Sequence, residues 1–127
     1  MKTMQIDYEE LKRAGVRLLI LFGSRARGRH LPGSDCDLAV LLAPTIGDPV
    51  GQMERVQDAI HEDASVDMVD LGDADPLLMR EVAVDGELLF EASPGDFEEF
   101  RLRSIKLYMD TQWLRDAEAA TLRSHFG

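Results

Sequence analysis

The 127-residue sequence has a single cysteine, Cys36, so no disulfide can close within the chain and a disulfide-stapled secreted scaffold is excluded. Long hydrophobic runs are also missing. The longest, Leu18 to Phe22 and Leu38 to Ala43, fall far short of the roughly 20 residues a membrane-spanning helix needs. The opening MKTMQIDYEE has no apolar core behind a basic start, so it does not read as a secretory signal. These absences together predict a cytoplasmic protein without membrane contact. Basic residues are scarce, with 14 Lys and Arg against 24 Asp and Glu, a net charge of −10. Coating a nucleic-acid backbone takes cationic surface, so direct nucleic-acid binding is disfavoured. At this length the expectation is one domain spanning residues 1–127.

The charge that is present is unevenly spread. Residues 1–30 hold seven Lys and Arg against three Asp and Glu, a balance of +4, while residues 31–127 hold seven against 21, a balance of −14. The local cluster Arg25, Arg27 and Arg29 is sized for one small polyanion, for which a nucleoside triphosphate is the obvious candidate. The acidic remainder suits a basic protein partner.

Asp7 followed by Glu10 reads as a capping box that opens a short helix ending near Gly15. Val16 to Phe22 is a compact aliphatic run between glycines, hence a buried strand. Gly23 to Ser34 is a loop, and Asp35 to Leu42 a second strand. Asp48-Pro49 starts a helix expected to run to about Ala64. Ser65 to Leu71 is a third strand. Asp75-Pro76 starts a ten-residue helix with Leu77, Leu78 and Val82 inward. Glu87 to Phe90 is a fourth strand, and from about Pro94 the chain reads as helix almost to its end. Strands alternating with helices place the fold in the α/β (α+β) class.

Three features bear on chemistry. Gly23-Ser24 ends a strand, where a glycine permits close backbone approach to phosphate and successive amides form an anion pocket. Alone, such a pair is more often a plain turn. Asp35 and Asp37 are two apart on a strand and so share one face, with Cys36, Leu38, Val40 and Leu42 on the other. Two adjacent carboxylates repel unless a cation lies between them, and oxygen-only ligands suit Mg²⁺. On this pair alone, a solvated strand start fits equally well. Asp67 lies between Val66 and Met68, and joins the other two if its strand lies beside theirs. Asp70, on the opposite parity, reads as a solvated strand-end residue.

Order and spacing connect the three. Gly23-Ser24, ten residues, then Asp35-Cys36-Asp37 forms GSx10DxD, within GSRARGRHLPGSDCDLAV and followed by SVDMVDL. Here the chain resembles the nucleotidyltransferase superfamily related to DNA polymerase β, most closely its minimal nucleotidyltransferase (MNT) members. The resemblance implies a short mixed β-sheet flanked by helices, with ATP held at Gly23 and Ser24 and its phosphates clamped by Arg25 and Arg27. It also implies two Mg²⁺ ions on Asp35, Asp37 and Asp67, with Asp67 serving as metal ligand or as proton acceptor. On the residues alone, Arg25 and Arg27 fit a solvated loop as well. Arg29-His30 stands where relatives often carry an acidic or small residue, which leaves the triphosphate preference open.

Among such relatives, antibiotic nucleotidyltransferases carry an added helical domain and polymerases need a basic track. The short chain fits the antitoxins of HEPN/MNT toxin–antitoxin modules best. These attach AMP to a tyrosine of a partner HEPN-family RNase toxin, which implies a hetero-oligomer with that toxin. The alternatives are a non-catalytic antitoxin that acts by binding alone, or an antibiotic nucleotidyltransferase. The other conspicuous residues have structural readings. His30 has no second histidine at ligand spacing and so no zinc role. Cys36 packs in the core, Tyr108 and Trp113 pack the last helix on the sheet, and Glu98-Glu99 is a solvated helix face.

Overall fold

The computed structural model describes residues 4–23, 26, 28, 36–44, 48–62 and 65–126. In chain order the elements are β1 (Gln5–Ile6), α1 (Tyr8–Arg13), β2 (Val16–Phe22), β3 (Cys36–Leu42), α2 (Pro49–Asp58), β4 (Ile60–His61) and β5 (Val66–Asp70). A 3₁₀ turn (Leu71–Asp73) follows, then α3 (Pro76–Asp85), β6 (Glu87–Glu91), α4 (Asp96–Asp110) and α5 (Gln112–Phe126). Four strands form a mixed sheet in the order β5-β3-β2-β6, antiparallel except for the β3–β5 pair, and β1 pairs with β4 in a separate two-stranded ribbon. No helix among the described residues is long and apolar enough to cross a membrane.

Aspartates open the helices as the sequence predicts. Asp7 accepts from the Glu10 amide at 3.2 Å, Asp48 from Val50 at 3.1 Å and Asp75 from Leu78 at 2.8 Å, and Pro49 and Pro76 occupy first-turn positions that have no amide to satisfy. Strand alternation then divides the core into two layers. On one side of the sheet Leu19, Cys36, Leu38 and Val40 pack with Leu11 and Ala14 of α1 and Val56 of α2. On the other, Leu18, Ile20, Phe22 and Ala39 pack with Val82 and Ala83 of α3 and Phe100 of α4. Each fully buried aliphatic side chain contributes about 1.5–3 kcal/mol, so these layers supply most of what holds the sheet and its helices together. Gly86 ends α3 so close to the sheet that a Cβ there would lie 2.6 Å from Ile20 Cγ2, which leaves room only for glycine.

Several expectations need correction. The helix after Pro49 stops at Asp58 rather than near Ala64, because Ile60 turns inward and pairs with Ile6 while the Asp7 amide binds Ala59 O at 2.8 Å. Leu77, expected inward, is 56% exposed, whereas Leu78 and Val82 do pack into the core. Asp70 is half-buried and caps the 3₁₀ turn by accepting from the Gly72 amide at 2.9 Å, so it is not a merely solvated strand end. The final helix is two helices broken at Thr111, and Trp113 is 68% exposed instead of packing on the sheet. Cys36 is fully buried as expected. Glu98 and Glu99 are exposed and pair along α4 with Arg101 and Arg103, at 3.3 and 2.6 Å.

α4 is tied to the sheet and α3 by polar contacts at its start. Arg17 of β2 reaches Asp96 at 3.4 Å, Glu91 accepts from the Phe97 amide at 3.2 Å, and Arg101 Nε donates to Ala83 O at 3.1 Å. Ser104, fully buried on the same helix, has no hydrogen-bond partner for its Oγ. Beyond it the chain leaves the core. Across the Thr111 break, Arg115 donates to Tyr108 O and, at 2.9 Å each, to Thr111 Oγ1 and Gln112 Oε1. Its guanidinium lies 3.7 Å from the centroid of the Tyr108 ring, and Arg80 of α3 reaches the same ring at 4.9 Å. Tyr108 therefore does pack at this junction, but against cations and not against the sheet.

Candidate active site

The site is built where the C-terminal end of β2 meets the N-terminal ends of β3 and β5. Phe22, the last residue of β2, pairs with Asp37. On the other side of β3, Asp37 pairs with Asp67 in the parallel β3–β5 register. Paired residues on neighbouring strands project to the same face, and the strands lie about 4.8 Å apart. The two carboxylates are therefore neighbours on the side of the sheet covered further along by α3 and α4. Their strand-mates Ala39 and Val69 belong to that layer, while Cys36, Leu38, Val66 and Met68 belong to the opposite one. Asp37 is half-buried and Asp67 is exposed.

Gly23 follows directly, buried and with a φ of +78°, a backbone conformation costly for any residue with a Cβ. A Cβ at this position would collide with Asp37 Oδ2 and lie 3.2 Å from Asp37 Cγ. Residue type alone motivated the glycine by close approach to phosphate. The geometry adds a second reason, since the space a side chain would fill is taken by the neighbouring carboxylate. Sequence reasoning missed this packing of Gly23 on Asp37, and only the strand register reveals it.

Of the residues singled out from the sequence, the structure brings together Gly23, Asp37 and Asp67. Ser24, Arg25, Arg27 and Asp35, and His30 with them, lie outside the described residues. Among the described residues no third carboxylate, histidine or cysteine joins Asp37 and Asp67 in a group of metal-binding type. The two together offer what a hard divalent cation takes: oxygen donors only, like charges in adjacent register, and an open side toward solvent at Asp67. The absence of a Cβ at Gly23 keeps the approach beside Asp37 clear for backbone and carboxylate alike.

The model of the polymerase β nucleotidyltransferase family matches residues 8–95, from α1 to the residue before α4. The chain belongs to this nucleotidyltransferase family. Over 103 residues it is 36% identical to the protein adenylyltransferase MntA of Shewanella oneidensis, covering 80% of this chain and 73% of that protein. It is also similar, with a TM-score of 0.73 and 31% identity, to a chain in a crystal structure of a toxin–antitoxin with AMP-PNP, covering 91% of this chain and 94% of that one. A second structure, of a tri-AMPylated Shewanella oneidensis HEPN toxin in complex with an MNT antitoxin, matches with a TM-score of 0.67 and 29% identity, covering 91% of this chain and 92% of the other. The motif that suggested this nucleotidyltransferase from sequence thus lies inside the stretch that establishes it.

Proposed function

We propose that this nucleotidyltransferase is an antitoxin that transfers AMP from ATP to a tyrosine of a partner HEPN-family RNase toxin. The observation that carries the chemistry is the Asp37–Asp67 register beside Gly23. The choice of acceptor rests on the similarity to a protein adenylyltransferase and on the complexes in which similar chains occur.

In this reading the tyrosine Oη attacks the α-phosphorus of ATP. The new bond is Oη–P, the bond that breaks joins the α-phosphorus to the bridging oxygen toward the β-phosphate, and pyrophosphate leaves. The tyrosine proton passes to Asp67 Oδ, whose exposure gives it contact with both acceptor and water. Gly23 and Ser24 present the end of β2 to the triphosphate, and Arg25 and Arg27 hold its phosphates by paired guanidinium contacts. Asp35, Asp37 and Asp67 are the residues that would hold Mg²⁺, as two ions, and bound Mg²⁺ supplies charge neutralisation at the phosphates. Asp37, half-buried against Gly23, is fixed in place and suited to ligation rather than proton transfer.

Size and charge favour a protein acceptor. The body leaves little material to enclose a small acceptor, whereas a tyrosine carried on a folded partner is positioned by the interface itself. An RNase needs cations for its RNA, and a chain of net charge −10 attracts such a surface. Toxin binding is accordingly expected to weaken as salt rises. The test is mass spectrometry of the toxin co-expressed with this chain. Tyrosine carrying one or more AMP units, absent with Asp37→Asn, is the expected outcome. An unmodified but inhibited toxin would establish the binding-only antitoxin instead, and label from ATP on RNA ends would refute the protein acceptor.

A further inference from the structure

Helix α5 has almost nothing beneath it. Apart from Arg115 and Ala119, which are half-buried, its described side chains from Gln112 to His125 are exposed. An isolated helix of about 15 residues is marginal in water, and most helices owe their stability to a covered apolar face. The α4–α5 pair has such a face, but it is turned outward. Leu102 and Met109, two turns apart on α4, are each 67% exposed. Trp113 is 68% exposed, Leu114 44% and Leu122 59% on α5. The contacts of Arg115 across the Thr111 break hold the two helices in one fixed relation, so these side chains form a continuous surface. Single exposed leucines are ordinary, but a run of this kind along two tied helices marks an interface.

Charge decides between possible occupants. Residues 96–127 carry six carboxylates and five Lys and Arg, whereas residues 1–95 carry eighteen and nine, so the helices are a nearly neutral face on a strongly acidic body. A second copy would bring another chain of net charge −10 against the first. A partner with a basic surface around an apolar centre gains on both counts, by apolar burial at the stripe and by attraction at the rim. The α4–α5 segment also lies beyond residues 8–95, the stretch that matches the nucleotidyltransferase family, and it contributes none of the candidate carboxylates.

We propose that the outer face of α4–α5, centred on Leu102, Met109, Trp113 and Leu122, is the surface on which the basic toxin docks. The proposal rests on the antitoxin reading above and adds the place of contact. Binding of the toxin of the same module is measured by titration calorimetry against the full chain and against Trp113→Asp, Met109→Asp and Leu122→Asp. ATP binding and thermal unfolding are followed in the same proteins. At least a tenfold loss of toxin affinity is expected in Trp113→Asp and Met109→Asp, with ATP affinity and unfolding temperature unchanged. Undiminished toxin binding in all three variants would overturn the assignment of the surface while leaving the antitoxin reading intact. A wild-type homodimer that the variants dissociate, with toxin binding unaffected, would give the face to a second copy and overturn it equally. No toxin binding by the wild-type chain would overturn the antitoxin reading itself.

Discussion

The body of the molecule and its C-terminal arm use the same residue types in opposite ways. In the body, Leu18, Leu19, Ile20, Leu38 and Val40 are completely buried, and the exposed residues that matter are charged. In the arm, Leu102, Met109, Trp113 and Leu122 are exposed, and the polar Ser104 is buried. Apolar side chains left in water along two helices gain nothing for the free chain, so their value lies in association. The body is built to hold a reacting pair of carboxylates, whereas the arm presents a surface.

The sharpest way to test this division is through the body's chemistry. Asp37→Asn and Asp67→Asn should each lower the rate of AMP transfer by roughly 10²–10⁴-fold, the range for removing a positioned charged group at a reacting centre. Circular dichroism should show both variants folded. Wild-type transfer rates in either, measured with radiolabelled ATP, would break the assignment of the site.

The next effect is on stability, and it separates the two regions directly. Leu19→Ala should cost about 2–5 kcal/mol in urea unfolding, because it opens a cavity between fully buried neighbours. The same truncation at the exposed Leu122 should change stability by less than about 0.5 kcal/mol. Similar losses at both sites would mean that the arm is packed in the free chain. Gly23→Ala should fall between these, costing roughly 1–3 kcal/mol for its positive φ, and should also reduce transfer by displacing the Asp37 carboxylate. The smallest effect is of opposite sign. Ser104→Ala removes a buried hydroxyl that has no partner, so it should be neutral or stabilise by up to about 1 kcal/mol, read as a rise in unfolding midpoint.

What the sequence disclosed follows the same division. β2 and β3 were legible because each is a short aliphatic run, and the starts of α1, α2 and α3 because an aspartate at the cap leaves a local signature that tertiary contacts need not modify. The two-residue strands β1 and β4 were not legible, since two residues carry no periodicity. Their pairing is also what ended α2 early, where Ala59 and Ile60 would otherwise continue the helical pattern. Trp113 was misplaced for a different reason. Helical spacing reveals that an apolar face exists but cannot say whether this chain or another covers it. At the site, alternation put Asp67 on a definite side of its own strand. That it lies opposite Asp37 depends on register, which comes from the packing of Val66, Met68 and Val69 in three dimensions.

The parallel pairing of β3 with β5 has a consequence for the order in which the chain acquires its activity. Asp37 meets Phe22 across a separation of 15 residues, but it meets Asp67 across 30, with α2 and β4 intervening. Closing the longer loop costs more chain entropy before any contact rewards it, so β5 is expected to dock after β2 and β3 have paired. The two carboxylates then come into register only as the sheet is completed. In refolding experiments, recovery of nucleotide binding should trail the recovery of β2–β3 amide protection, and simultaneous recovery would contradict this order. A newly made chain would in that case stay inert toward ATP until its outermost strand is in place, which makes catalytic competence a report on the completed fold.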